Sequence, residues 1–273
     1  MNRKELEVAI EWAVQEGWNP GLYDADSFYA TDPQGFFMGF LDGEPVSSIS
    51  VVAYDDRFGF LGLYIVRPEY RSRGYGIKIW NEALKHLPTQ NVGLDGVVAQ
   101  QKNYRKSGFR LAYRNIRFEG TGIKDSHTIP NIVSLSQVPF QQLQAYDNRI
   151  FPASRPAFLE SWIRQPESQA IGVIESGKLL GYGVVRKCRT GFKVGPLFAD
   201  DEGVADAIFQ KLRGFAGEGA PVFLDVPEVN QRALLLTERY GMQSMFETAR
   251  MYTKEQVDAP LQKIFGVTSF ELG

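Results

Sequence analysis

Between Phe58 and Leu87 the chain changes period, and this change limits its fold more than any other stretch. Phe58 to Val66 is a continuous apolar run, rich in aromatic and β-branched residues, as a buried strand requires. Ile77, Trp80, Leu84 and Leu87 then recur at helical spacing. The two patterns are joined by Arg67-Pro68-Glu69-Tyr70-Arg71-Ser72-Arg73-Gly74-Tyr75-Gly76. Glycines at a strand-to-helix turn let the backbone approach a ligand closely, and amides at a helix start favour an anion. Arg71 and Arg73 add planar hydrogen-bond forks for phosphate oxygens. From chemistry alone the loop is either a pyrophosphate cradle or a solvated turn with a basic rim. It is not a Walker loop, because no Gly-Lys-Ser/Thr follows. Nor is it a dinucleotide fingerprint, which would need glycine where Ile79 stands.

A length of 273 residues leads us to expect two domains of ordinary size. A net charge of -2 argues against a general nucleic-acid binder, although a local basic patch is allowed. The one cysteine, Cys188, excludes an intrachain disulfide and suits a reducing compartment. His86 and His127 are far apart in sequence, so no metal cluster is expected from them. The sequence shows neither the apolar run of a signal peptide nor one long enough for a membrane span. The expectation is a soluble, cytoplasmic protein with no membrane partner.

Leu6, Ala9, Ile10 and Ala13 predict an amphipathic helix over 4–16, ended by Gly17 and Pro20. Trp18 to Tyr29 reads as a loop in which Tyr23, Asp24 and Phe28 either anchor the chain or face a cationic ligand. Strands are expected at 36–41, 46–53, 58–66, 91–98 and 110–118, with a short helix at 100–107. The polar, aperiodic stretch from Glu119 to Asn131 reads as a linker, with His127 at its surface. The second half repeats this order. Helices are expected at 140–150, 156–163, 204–215 and 230–240, and strands at 169–174, 179–187, 192–198, 221–226 and 245–252. Val222-Phe223-Leu224-Asp225 echoes Val92-Gly93-Leu94-Asp95. The division that follows is a first domain over 1–120, a linker over 121–131 and a second domain over 132–273.

Tyr64-Ile65-Val66-Arg67-Pro68 leading into Arg71-x-x-Gly74-x-Gly76, followed later by Tyr104-Arg105-Lys106-Ser107-Gly108-Phe109, resembles the GNAT acetyltransferases. The likeness extends over nearly the whole chain as the bacterial tandem type. It implies an α/β (α+β) architecture of two tandem GNAT folds, each a mixed, mostly antiparallel sheet flanked by helices. It implies acetyl-CoA as acyl donor and no metal. The backbone at Ile65 and Val66 would hold the pantetheine and acetyl carbonyl, and Arg71, Ser72, Arg73, Gly74, Tyr75 and Gly76 the pyrophosphate. Tyr104 would be the general acid for the departing thiolate. Asp95 would act as base or order a water, or else brace the cleft. Tyr23, Asp24 and Phe28 fall on the acceptor side. Many members carry Asn where this chain has Val97.

At the matching place in the second half, Gly195-Pro196-Leu197-Phe198-Ala199-Asp200-Asp201-Glu202 has no arginine and no Gly-x-Gly. Its three carboxylates would repel phosphate, and Thr237 stands where the first half has Tyr104. The resemblance therefore implies an active first domain and a degenerate second one. It implies acetyl transfer to a primary amine by direct attack. The acceptor would be a small amine or a protein amine. The alternatives are a noncatalytic acyl-CoA-binding sensor and a scaffold of two spent folds. The last stretch, Leu261 to Gly273, could add a strand or cover an edge.

Overall fold

The computed structural model describes residues 1–124 and 129–273, so His127 and its neighbours in the expected linker lie outside the described residues. Helix α1 (Arg3–Gln15) opens with a capping box in which the Asn2 side chain accepts the Lys4 and Glu5 amides and Glu5 accepts the Asn2 amide. A second helix, α2 (Asp24–Thr31), stands where a loop was expected. Its eight residues are too few to show a period, and packing of Phe28 against Trp162 holds it in place. The meander β1 (Phe36–Leu41), β2 (Glu44–Ala53) and β3 (Phe58–Val66) is antiparallel. It is followed by α3 (Tyr75–Ala83), β4 (Asn91–Val97), α4 (Gln101–Lys106) and β5 (Arg110–Thr121). The buried face of α3 is Ile79, Trp80 and Ala83; Ile77, expected inside, is 53% exposed.

After the short strand β6 (Ile132–Ser134) come α5 (Phe140–Asp147) and α6 (Pro156–Trp162), then β7 (Ser168–Glu175), β8 (Lys178–Lys187) and β9 (Phe192–Ala199). The chain continues through α7 (Glu202–Ala216), β10 (Pro221–Pro227), α8 (Gln231–Arg239), β11 (Gln243–Tyr252) and β12 (Ile264–Gly266).

The two halves share one continuous sheet, in the order β1-β2-β3-β4-β11-β5-β10-β9-β8-β7-β6, with β12 paired to β9. Among the described residues, only β3–β4 and β9–β10 are parallel. The closing strands are exchanged: β11, from the second half, lies beside β4 of the first, and β5, from the first, lies beside β10 of the second. The stretch expected as a linker is partly sheet, since Thr121 still pairs with Pro221. Each exchanged strand brings one arginine to one buried aspartate directly opposite it. Arg250 on β11 forks onto Asp95 of β4 at 2.9 and 2.6 Å, and Arg117 on β5 forks onto Asp225 of β10 at 2.7 and 2.8 Å. Two-bond pairing of this kind is what lets charge stay buried in a sheet centre. A core built from α1, α2, α5 and α6 spans both halves, while α3 and α7 each cover a smaller core to which the exchanged strand contributes, Ala249 and Met251 under α3 and Phe118 beside α7.

Candidate functional site

β3 and β4 stay paired only from Phe58–Asn91 to Leu61–Leu94. Just beyond, the β2–β3 register slips by a bulge, and Leu63 takes a left-handed φ of 45°. The bulge turns β3 away from β4 and leaves a gap in the sheet. A cavity of about 540 Å³ fills this gap, within the usual range of small-molecule sites. Ile65 and Val66 line it from β3, and Asp95, Gly96 and Val97 from β4.

At one end the cavity reaches the loop before α3. Ser72 and Gly74 have left-handed φ of 60° and 83°, and Gly74 is the N-cap, so no side chain blocks the first amides of α3. A Cβ at Gly76 would stand 2.6 Å from the Tyr64 hydroxyl and 3.2 Å from the Val66 side chain, so glycine lets this turn pack closely on β3. Open amides, a glycine cradle and nearby arginine fit an anionic phosphate group. Of the residues expected here, Arg71, Ser72, Gly74 and Gly76 line the cavity. Arg71 donates to the Val66 carbonyl at 2.9 Å and pairs with Glu16. Arg73 and Tyr75 are not among the lining residues. Arg73 lies over the rings of Tyr70 and Tyr75, 5.7 and 5.8 Å from their centres.

Tyr104 comes in from α4 and also lines the cavity. Its ring stacks on Trp80 at 5.8 Å and presses against Gly96, where a Cβ would stand 2.3 Å from the ring. The residue is buried, and its hydroxyl has no hydrogen-bond partner among the described residues. Burial, with a smaller contribution from Tyr64, pushes the phenol well above its ordinary value, so it holds its proton at neutral pH.

Asp95 lines the cavity from β4. Its side chain is fully buried, forked by Arg250 and bonded by the Asn115 amide at 2.8 Å. Burial pushes its carboxyl up, and Arg250 and Asn115 pull against that. A carboxylate so engaged braces β4 against β11. Tyr23, Asp24 and Phe28 do not meet at the cavity. Asp24 is buried under a two-point contact from Arg186 at 2.7 and 3.3 Å, Phe28 stacks on Trp162 at 6.2 Å, and Tyr23 donates to Glu167 at the surface. The acceptor-wall expectation fails because α2 turns these side chains into the joint between halves.

The lining also includes residues that sequence reasoning did not offer as site candidates: Trp18, Arg117, Phe246, Thr248, Phe270 and Glu271. Three of them come from strands that pair only after the exchange, so no local signal marks them. In the second half the matching gap, where β9 and β10 part beyond Val194–Leu224, is closed. There β12 pairs with β9 at Leu197 and Phe198, and the Val267 amide bonds to the Asp225 carbonyl at 2.9 Å. The start of α7 is capped by Asp201, which accepts the Val204 amide at 2.9 Å. Thr237, in the Tyr104 position, is buried and donates to Leu234. No cluster of His, Cys, Asp and Glu suited to a metal occurs among the described residues. No helix among them is long and apolar enough to cross a membrane.

Two family models match in tandem: Acetyltransferase (GNAT) family over residues 4–109, and Acetyltransferase (GNAT) domain over 143–266. The chain is 31% identical over 271 residues to the holothin acyltransferase of a Pseudoalteromonas species, covering 99% of this chain and 92% of that one. Among solved structures, a candidate acetyltransferase of Pyrococcus horikoshii superposes with a TM-score of 0.84 at 22% identity, over 100% of this chain and 94% of the other. A tandem GNAT protein from the clavulanic acid biosynthesis pathway gives a TM-score of 0.62 at 12% identity, over 94% and 98%.

Proposed function

Because this chain belongs to the GNAT acetyltransferase family and is an acyltransferase of that type, we propose that its first half uses acetyl-CoA to acetylate a primary amine. One observation carries the reading. Of the two matching gaps in the sheet, the first is open and meets an uncapped helix start and a free tyrosine hydroxyl, while β12 occupies the second. In this reading the second half binds no acyl-CoA and supplies a wall of the first half's site. The acceptor in this reading is a small-molecule amine. The buried, unpaired Cys188 is compatible with work in the cytoplasm.

Each residue's part follows from its chemistry. The first amides of α3 and the Gly74–Gly76 turn hold the pyrophosphate, and the parted end of β3 offers backbone groups to the pantetheine arm. The donor supplies a thioester, whose carbonyl carbon the neutral amine attacks. As the C–N bond forms and the C–S bond breaks, Tyr104 passes its proton to sulfur and so avoids release of a free thiolate. The phenolate then recovers a proton from the newly acylated nitrogen through solvent.

Calorimetric titration with acetyl-CoA, followed by thiol release over a panel of amines, tests this reading. Wild type should bind and release thiol with at least one amine. Gly74→Glu should lose binding, since it puts a carboxylate and a strained backbone in the cradle. Tyr104→Phe should keep the binding constant and lower kcat about 100-fold. Binding without thiol release from any amine, unchanged by Tyr104→Phe, would instead make the chain an acyl-CoA sensor.

A further inference from the structure

Where the cavity runs away from the phosphate end, it meets a carboxylate that the proposed chemistry has not yet used. Glu271 follows β12 in sequence and is only 3% exposed, yet it lines the cavity. Its backbone is wedged against β3: a Cβ at Gly62 would stand 2.1 Å from the Glu271 carbonyl oxygen. Position 62 therefore admits only glycine while this segment is seated. The Glu271 carboxylate makes no hydrogen bond or ion pair with any described residue.

Of the cations around it, the two arginines are forked onto other carboxylates, with Arg186 Nη1 left over, whereas Lys193 is held only by a backbone carbonyl. Arg117 on β5 forks onto Asp225 of β10, and Arg186 on β8 onto Asp24 of α2. Lys193 on β9 donates to the Asn19 carbonyl at 2.9 Å, and Cys188 lies buried beside it. Arg117, Arg186 and Lys193 all feel the Glu271 charge, although none is close enough to pair with it. Nearby, the Thr248 hydroxyl is buried in the same lining and has no partner. Burying a carboxylate without a partner is costly. A cationic group arriving from the cavity would relieve that cost. Trp18, Phe246 and Phe270 also line the cavity, and the Arg117 guanidinium lies over the last two rings, 5.9 and 4.8 Å from their centres.

We propose that Glu271 is the acceptor-binding base of this enzyme: its carboxylate docks the ammonium group of an amine borne on an apolar or flat body, and takes the proton that the nitrogen must lose before attack. This rests on the acetyltransferase reading above. The balance is complete. The ammonium gives one proton to Glu271 and becomes the neutral nucleophile. The nitrogen's second proton restores Tyr104, whose own proton has gone to sulfur. Glu271 returns its proton to solvent when the amide leaves, so each turnover yields amide, thiol and one released proton. Thr248 is placed to accept a second N–H of the docked group.

The test uses the full chain, acetyl-CoA and a panel of alkyl and aromatic primary amines, with Glu271→Gln and Glu271→Asp compared with wild type. The expected result is an unchanged acetyl-CoA binding constant in both variants. The Gln variant should lose about 100-fold in kcat/KM, and Asp should restore part of that loss. Alkyl amines, protonated at neutral pH, should suffer more than aromatic amines, which are not. Wild-type activity with a Gln variant within a few-fold of it would overturn the role of Glu271 and leave the acetyltransferase reading standing. Loss of acetyl-CoA binding in both variants would assign the segment to folding and overturn the proposal. No binding and no turnover by wild type would overturn the acetyltransferase reading itself, and this inference with it.

Discussion

Tyr104 keeps its proton because its ring is held between Trp80 and the bare face of Gly96, away from bulk water. Because burial raises its ionisation above the ordinary 10, the acid stays competent where a free phenol would have titrated. The kcat profile should therefore show no alkaline fall from this group up to about pH 10; a fall centred below that would contradict its burial. A second residue-scale prediction concerns Gly62. Gly62→Ala should dislodge the segment carrying Glu271 and reduce turnover at least as much as Glu271→Gln, with acetyl-CoA binding measured in parallel. Tyr104 and the glycine loop could be offered as candidates because each stands in a short local motif, Tyr104-x-x-x-Gly108-Phe109 and Arg71-x-x-Gly74-x-Gly76. Glu271 had no such context. It lies far from Tyr104 in sequence, and a lone glutamate with no motif around it looks like any solvated charge.

At the scale of elements, the two buried Asp–Arg pairs fasten each exchanged strand to its host. Removing one partner leaves an uncompensated buried charge. Arg250→Leu should cost about 3–5 kcal/mol in a denaturant titration, as should Arg117→Leu. An Asp95→Asn variant should lose stability but keep most of its turnover per folded molecule, which distinguishes a brace from a base. Most strands and helices were legible from period alone, and the bounds moved by only a few residues. Helix α2 was not. Its aromatic and acidic residues have no repeat, and Phe28 is buried by residues distant in the chain, Trp162 and Phe158 of α6 among them. The exchange was hidden for a different reason. Asp95 and Asp225 each need an arginine, and each half carries one in its closing strand. The charges balance whether or not the strands cross, so the sequence is silent about which partner each takes.

For the molecule as a whole, a shared sheet and a core that spans both halves make one cooperative unit. Calorimetry should show a single transition with matching calorimetric and van't Hoff enthalpies, not two. Tyr54, Tyr113 and Tyr182 all sit in the interior with ionisation raised, chiefly by burial. In the folded state these groups hold protons that the unfolded chain loses near pH 10. Their contribution is thus intact below pH 10 and is lost as pH rises above it. Stability should be level up to that point, then fall by about 1.4 kcal/mol per pH unit for each tyrosine, as read from urea midpoints. The exchange also affects how the chain is made. β5 is complete at Thr121, but β11, which must fit between it and β4, begins only at Gln243. A nascent polypeptide emerging from the ribosome therefore carries two unsatisfied strand edges through the synthesis of nearly the whole second half. Such edges invite pairing with other chains, so growth rate and chaperone supply, as well as final stability, set how much of this protein a cell recovers.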